Sequence, residues 1–140
     1  MSDFSVFMKG NTDLESVKYV ASKRFAVKGK PVEWEIKPID TALDEAIRKE
    51  CTKKVPIAGK RGQYNQETDT DKYIGKMCVA CTVYPNLNDA ELQDSYGVKD
   101  GDALLKKMLL PGEYTEYKAK VMEVNGYDMS MEELVDEAKN

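Results

Sequence analysis

The chain has 140 residues, 41% of them hydrophobic and 33% charged, with a net charge of −4 and no histidine. A chain of this length buries roughly two-thirds of the surface that its unfolded form exposes, so one core and a single domain over residues 1–140 are expected. Without histidine, Ser-His-Asp and Cys-His nucleophiles and imidazole metal sites are excluded, and acid–base chemistry falls to carboxylates, lysine, tyrosine or cysteine.

The longest apolar runs, MCVAC and MLL, fall far below the ~20 residues that cross a bilayer. The start MSDFSVFMKG lacks the apolar region of a secretory signal, and three cysteines, an odd number, read as reduced thiols. Both features point to the cytoplasm. Charge is unevenly placed. Residues 127–140, YDMSMEELVDEAKN, hold five acids and one lysine, so the other 126 residues balance at 20 acids and 20 bases. Residues 48–61, RKECTKKVPIAGKR, carry six bases and one acid, a local +5.

Residues 1–39 read as a β-hairpin region. Phe4, Phe7 and Met8 open it with three large apolar side chains, which either tie the terminus onto the domain or form a docking peptide. Val17, Tyr19, Ala21, Phe25 and Val27, then Val32, Trp34 and Ile36, alternate with charged residues, the period-two mark of half-buried strands. Lys23 interrupts the first set. Gly29 and Pro31 supply the turn, and Pro38 ends the second strand.

Residues 40–84 read as two helices joined by a mobile basic loop, 55–66. Asp40 or Thr41 caps a helix in which Leu43, Ile47 and Cys51 repeat every four residues, running to Lys53 and Lys54 at its C-terminal end. The loop contains Pro56, Gly59 and Gly62 and has no apolar period. Thr70 caps the second helix, where Tyr73, Ile74, Met77, Cys78, Cys81 and Tyr84 make one face before Pro85 stops it.

Residues 85–140 read as short helices with an acidic tail. In PNLNDAELQDSYG, Asn88 is the cap, Leu92 faces inward and Gly97 is the stop. Asp102 caps a helix over 103–109 whose Leu104, Leu105, Met108 and Leu109 point to the core. Pro111 opens a helix over 112–124, with Tyr114, Tyr117, Val121 and Val124 on one face and Asn125-Gly126 as its end. Ser130 and Glu133 form a capping box for a last helix, 131–139, with Met129 and Leu134 as its hydrophobic staple. The fold class is therefore α+β: an N-terminal antiparallel β-hairpin followed by a mainly α-helical bundle of short helices.

Two stretches invite chemistry. Cys78-Val-Ala-Cys81 could be a redox pair or half a zinc site, with Cys51 as a third thiol. A redox pair sits at a helix start beside a βαβ pattern, and zinc needs a fourth ligand. Here the thiols share an apolar face with Ile74 and Met77, so packing is their expected role, with no catalytic residue, cofactor or metal. The glycine-containing runs AGKRG and YGVKDGD match neither phosphate-loop nor dinucleotide spacing. The basic segment 48–61, followed by Tyr64, raises nucleic acid, but the chain is acidic and no aromatics interleave the bases. A solvated helix end and loop is the simpler reading, and a small nucleic-acid-binding regulator would also need a recognition helix.

The run PNLNDAELQDSYGV, then LLKKMLLPGEYTEYKAKVMEVNGY, resembles the XkdN-like family of phage tail assembly chaperones of contractile-tailed phages and related prophages. Upstream, FSVFMKGN, VASKRF, VEWEIKPID and IRKECTKK fit the same family in the same order, so the resemblance covers nearly the whole chain. It implies a non-enzymatic role in virion morphogenesis. Such chaperones associate with the tape-measure protein and keep it soluble until tail-tube subunits polymerise around it, and they leave before the particle is finished. The tape-measure protein is the implied partner and the tail-tube protein a second; no membrane and no cofactor are implied. The alternative is a structural tail or baseplate component, which would remain in purified particles. For partner binding, Met122, Met129, Met131 and Leu134 are the candidate lining of an apolar cleft among helices 103–109, 112–124 and 131–139, with Phe4, Phe7 and Met8 as the second candidate surface.

Overall fold

The computed structural model describes residues 3–127. Two 3₁₀ turns, Asp3–Phe7 and Lys9–Asn11, lead into β1 (Val17–Tyr19), β2 (Ala26–Val27), β3 (Lys30–Pro31) and β4 (Trp34–Ile36). Then come α1 (Thr41–Glu50), β5 (Thr52–Pro56), β6 (Tyr64–Thr68), α2 (Thr70–Cys81) and β7 (Thr82–Tyr84). Three helices close the described chain: α3 (Ala90–Ser95), α4 (Gly101–Met108) and α5 (Pro111–Val124). The α+β class holds.

The N-terminal hairpin forms in two pieces. β2 and β3 pair antiparallel across Lys28-Gly29, both in the left-handed region at φ 52° and 80°, the geometry of a two-residue hairpin turn. Farther from the turn, Val17 pairs with Ile36 and Tyr19 with Trp34. Between the pieces the first arm leaves the ladder, and Arg24 pins it elsewhere. Its guanidinium donates to the Met108 carbonyl at 2.6 Å and to Glu113 at 3.0 Å, at the α4–α5 corner. Trp34 and Ile36 point inward while Glu35 points out and accepts from Ser16, so the period of two survives in β4.

Four expectations need correction. The first helix stops at Glu50, and Lys53 and Lys54 lie in β5, not at a helix end. The segment expected as a mobile loop is a hairpin, with β5 and β6 in register from Thr52↔Thr68 to Pro56↔Tyr64. Its tip is tied by the bonds Ile57 N–H to Gln63 O and Lys60 N–H to Ile57 O, with Gly59 and Gly62 at positive φ. Tyr84 belongs to β7, not to the second helix: α2 ends at Cys81, and the chain pairs with β4 as the third strand, order β1-β4-β7. Fourth, the caps of α2, α3 and α4 are Asp69, Asp89 and Asp100 rather than Thr70, Asn88 and Asp102. Each side chain takes the backbone N–H three residues on, the ordinary N-cap bond.

One core joins the sheet to the helices. Trp34 and Ile36 from β4 meet Met77, Cys78 and Cys81 of α2, Leu104, Leu105 and Met108 of α4, and Tyr117 and Val121 of α5. The stretch KKMLLPGEY makes the α4–α5 corner. Met108 and Leu109 are buried, Leu110 faces solvent, and Pro111 opens α5 with its missing N–H at a position that needs none. Leu110 has no side-chain acceptor, but its own N–H donates to Glu113 Oε1 at 2.8 Å, half of a capping box. Asn125 ties three elements together: it accepts from Ile39 N–H and donates to Val121 O and to Cys81 Sγ.

Candidate partner-binding surfaces

The apolar N-terminal segment stands out from the core. In the first 3₁₀ turn Phe4 is 66% exposed and Phe7 74%, their rings edge-on at 6.1 Å, and Met8 is 55% exposed. Val6 and Leu14 are exposed as well, and sequence reading missed both, although Val6 lies within the apolar run FSVFM. Large apolar side chains clustered and exposed in so short a run mark a candidate contact surface.

The C-terminal candidates are differently placed. The apolar stripes of α4 and α5 are spent on the core, since Leu104, Leu105, Tyr117 and Val121 are fully buried. Met122 is half-buried against that core. The depression among α2, α4 and α5 is small, about 250 Å³, and lined chiefly by polar groups: Asp71, Lys106, Tyr114 and Lys118 beside Ile74. Met129, Met131, Leu134 and the capping box of Ser130 and Glu133 lie outside the described residues.

The β5–β6 hairpin is the third surface. Every residue of β6 is exposed, and both strands lack a second neighbour. An isolated two-stranded ribbon is marginal in water, so this arm depends on its ladder, its glycine turn and the Thr52–Thr68 hydroxyl pair at 2.7 Å. At its base, Arg48 lies 4.3 Å over the Tyr73 ring and donates to the phenol oxygen at 3.0 Å. Tyr73 in turn donates to Asp44. Burial first, and the Asp44 carboxylate second, push its pKa up to about 12, so this phenol stays a donor.

The thiols are buried. Burial pushes Cys78 up to about 12 and raises Cys81 as well, which leaves both protonated and unreactive at neutral pH. Among the described residues, no group of three or more His, Cys, Asp or Glu side chains could hold a metal ion, and no helix is long and apolar enough to cross a membrane.

Residues 4–139 match the family described as phage XkdN-like tail assembly chaperone protein. Two proteins of Bacillus subtilis (strain 168) are similar over 99% of this chain. The phage-like element PBSX protein XkdN is 33% identical over 94% of its own length, and YqbN is 36% identical over 93%. The crystal structure of YqbN superposes with a TM-score of 0.76 at 32% identity, covering 91% of this chain and 99% of that one.

Proposed function

The chain belongs to the XkdN-like family of phage tail assembly chaperones, and on that premise we propose that it binds the tape-measure protein of a phage or prophage tail and keeps it soluble until the tube assembles. The single observation that carries this reading is the family match over residues 4–139. A tape measure is a long chain whose apolar stripes stay unburied until tube subunits close over it, and such stripes associate non-specifically unless covered. The role needs apolar contact and net charge, with no catalysis. The exposed Phe4, Phe7 and Met8 are one candidate contact set, and Met122 with, outside the described residues, Met129, Met131 and Leu134 is the second. Holding must be reversible, because each ~1.4 kcal/mol of added affinity slows release about tenfold when it appears in the off-rate. The tail-tube protein would then displace the chaperone in the host cytoplasm.

The test is co-expression with the tape-measure protein encoded nearby, followed by a solubility assay and pull-down. The wild-type chain should keep the tape measure soluble. Phe4→Ser/Phe7→Ser/Met8→Ser and Met129→Ser/Met131→Ser/Leu134→Ser should each weaken it while leaving the chaperone folded. A tape measure equally soluble without the chain, or the chain retained in purified particles, would sink the proposal.

A further inference from the structure

Two segments of the sequence carry opposite excess charge: six bases and one acid at 48–61, and five acids and one lysine at 128–140. Where α1 hands over to β5, a groove of about 510 Å³ opens, lined by Arg48, Lys49, Lys53 and Lys54 against one acid, Glu45. Among the described residues, Lys49, Lys53 and Lys54 form no ion pair, whereas other lysines do: Lys18, Lys76, Lys106 and Lys120 each hold a carboxylate. Arg48 is fixed in place by Tyr73. Four like charges thus share a groove with one counter-charge.

The chain's excess acid starts close by. α5 ends at Asn125; Gly126 turns the backbone at φ 91°, and Tyr127 N–H bonds to Met122 O. This sets Tyr127 beside Asp40, Thr41 and Asp44 at the first turn of α1. The groove lies at the last turn of the same helix, about 12 Å along its axis at 1.5 Å per residue. The thirteen residues that follow, 128–140, carry five acids and one lysine. Even wound as a helix they would span about 20 Å, and extended about 43 Å, so the distance is no obstacle.

We infer that residues 128–140 dock in cis on this groove, with the carboxylates of Glu132, Glu133, Asp136 and Glu137 set against Lys49, Lys53 and Lys54. Tethering favours this occupant. A segment tethered within about 12 Å acts at an effective concentration in the millimolar range, ahead of any acidic segment free in solution, and a net negative chain repels nucleic acid. The interaction is electrostatic and therefore screened, since the Debye length falls from about 10 Å at 0.1 M salt to about 3 Å at 1 M.

The experiment uses the full chain alone, with no tape measure, so its outcome is independent of the proposal above. A carbodiimide joins a lysine to a carboxylate only when they touch, and peptide mass mapping locates the links. Links from Lys49, Lys53 or Lys54 to Glu132, Glu133, Asp136 or Glu137 are expected in dilute buffer and should be lost in about 1 M salt. Mixing isotope-labelled with unlabelled chains separates the sources, and the links should join like-labelled peptides only. Lys49→Glu/Lys53→Glu/Lys54→Glu should abolish them, and adding Glu132→Lys/Glu133→Lys should restore them with the charges exchanged. Absence of the links, their persistence at high salt, or their occurrence between differently labelled chains would overturn the inference. The wild-type salt dependence decides the matter even if a variant fails to fold.

Discussion

Tyr117 and Thr82 form a buried pair whose two halves should have unequal energies. Thr82 Oγ1 donates its one proton to Cys78 O at 2.7 Å, so the 2.5 Å contact with Tyr117 must have the phenol as donor. Tyr117 is fully buried. Thr82→Val therefore strands a buried O–H, at about 1–3 kcal/mol, while Tyr117→Phe removes the donor and costs only about 0.5–1.5 kcal/mol. The Cys78 carbonyl keeps the Thr82 backbone N–H in either case. In the double variant the stranded phenol is gone, so its cost should fall below the sum by about 1 kcal/mol. For 140 residues the unfolding entropy is about 0.3 kcal/mol per degree, which turns these figures into Tm losses of roughly 3–10 °C for Thr82→Val and 2–5 °C for Tyr117→Phe. The assay is urea unfolding followed through Trp34, the single tryptophan, 1% exposed with its ring 5.3 Å edge-on to Tyr117. If Tyr117→Phe proves the costlier change, or the two costs simply add, the assignment of the proton is wrong.

Gly75 lets α2 lie close to α4, since a Cβ there would run into the Asp102 carboxylate, whose Oδ1 is buried with no hydrogen-bond partner among the described residues. Gly75→Ala should cost about 1–3 kcal/mol in urea unfolding despite alanine's better helix propensity, and adding Asp102→Ala should recover part of it; a neutral Gly75→Ala would show that the spacing is set elsewhere. At acid pH, Glu113 is held below its usual 4.5 by the Leu110 N–H, then by Ser22 and Arg24, and Glu35 is lowered chiefly by the Ser16 hydroxyl. A lowered folded-state pKa means stability that is present above 4.5 and lost as pH falls through the folded value. Thermal midpoints should accordingly fall below about pH 4.5, and Glu113→Gln should flatten that fall; an unchanged slope would show that the carboxylate is not held.

The helices were legible because their information is local. Ile47, Met77, Leu104, Leu105, Tyr117 and Val121 each belong to an apolar set spaced by three or four within its own helix, and all six are buried in the structure. Caps were misplaced by one or two residues where two capping residues stand close together, as in Asp69-Thr70 and Asn88-Asp89, because carboxylate, amide and hydroxyl can each accept the N3 bond and only the backbone conformation selects one. The short strand β7 was invisible for a different reason. Thr82, Val83 and Tyr84 continue the α2 pattern, and what stops the helix is pairing with β4, a partner far away in sequence.

The β5–β6 arm had no signal to read, and the reason bears on function. A strand shows itself in sequence by one buried face, and here neither face is buried: β6 is exposed throughout, and in β5 only Thr52 and Val55 are even partly covered. The candidate sites divide along the same line. Phe4, Phe7 and Met8 could be singled out because three large apolar side chains crowd into the first eight residues, ahead of any strand or helix period. The bases at 48–54 were legible as charge but not as a groove, because Arg48 and Lys49 belong to a helix and Lys53 and Lys54 to a ribbon, and the turn at Cys51 brings the two pairs together. Because Lys49, Lys53 and Lys54 hold no carboxylate among the described residues, this charge is free to meet the chain's own acidic end, which is what the cross-linking experiment asks.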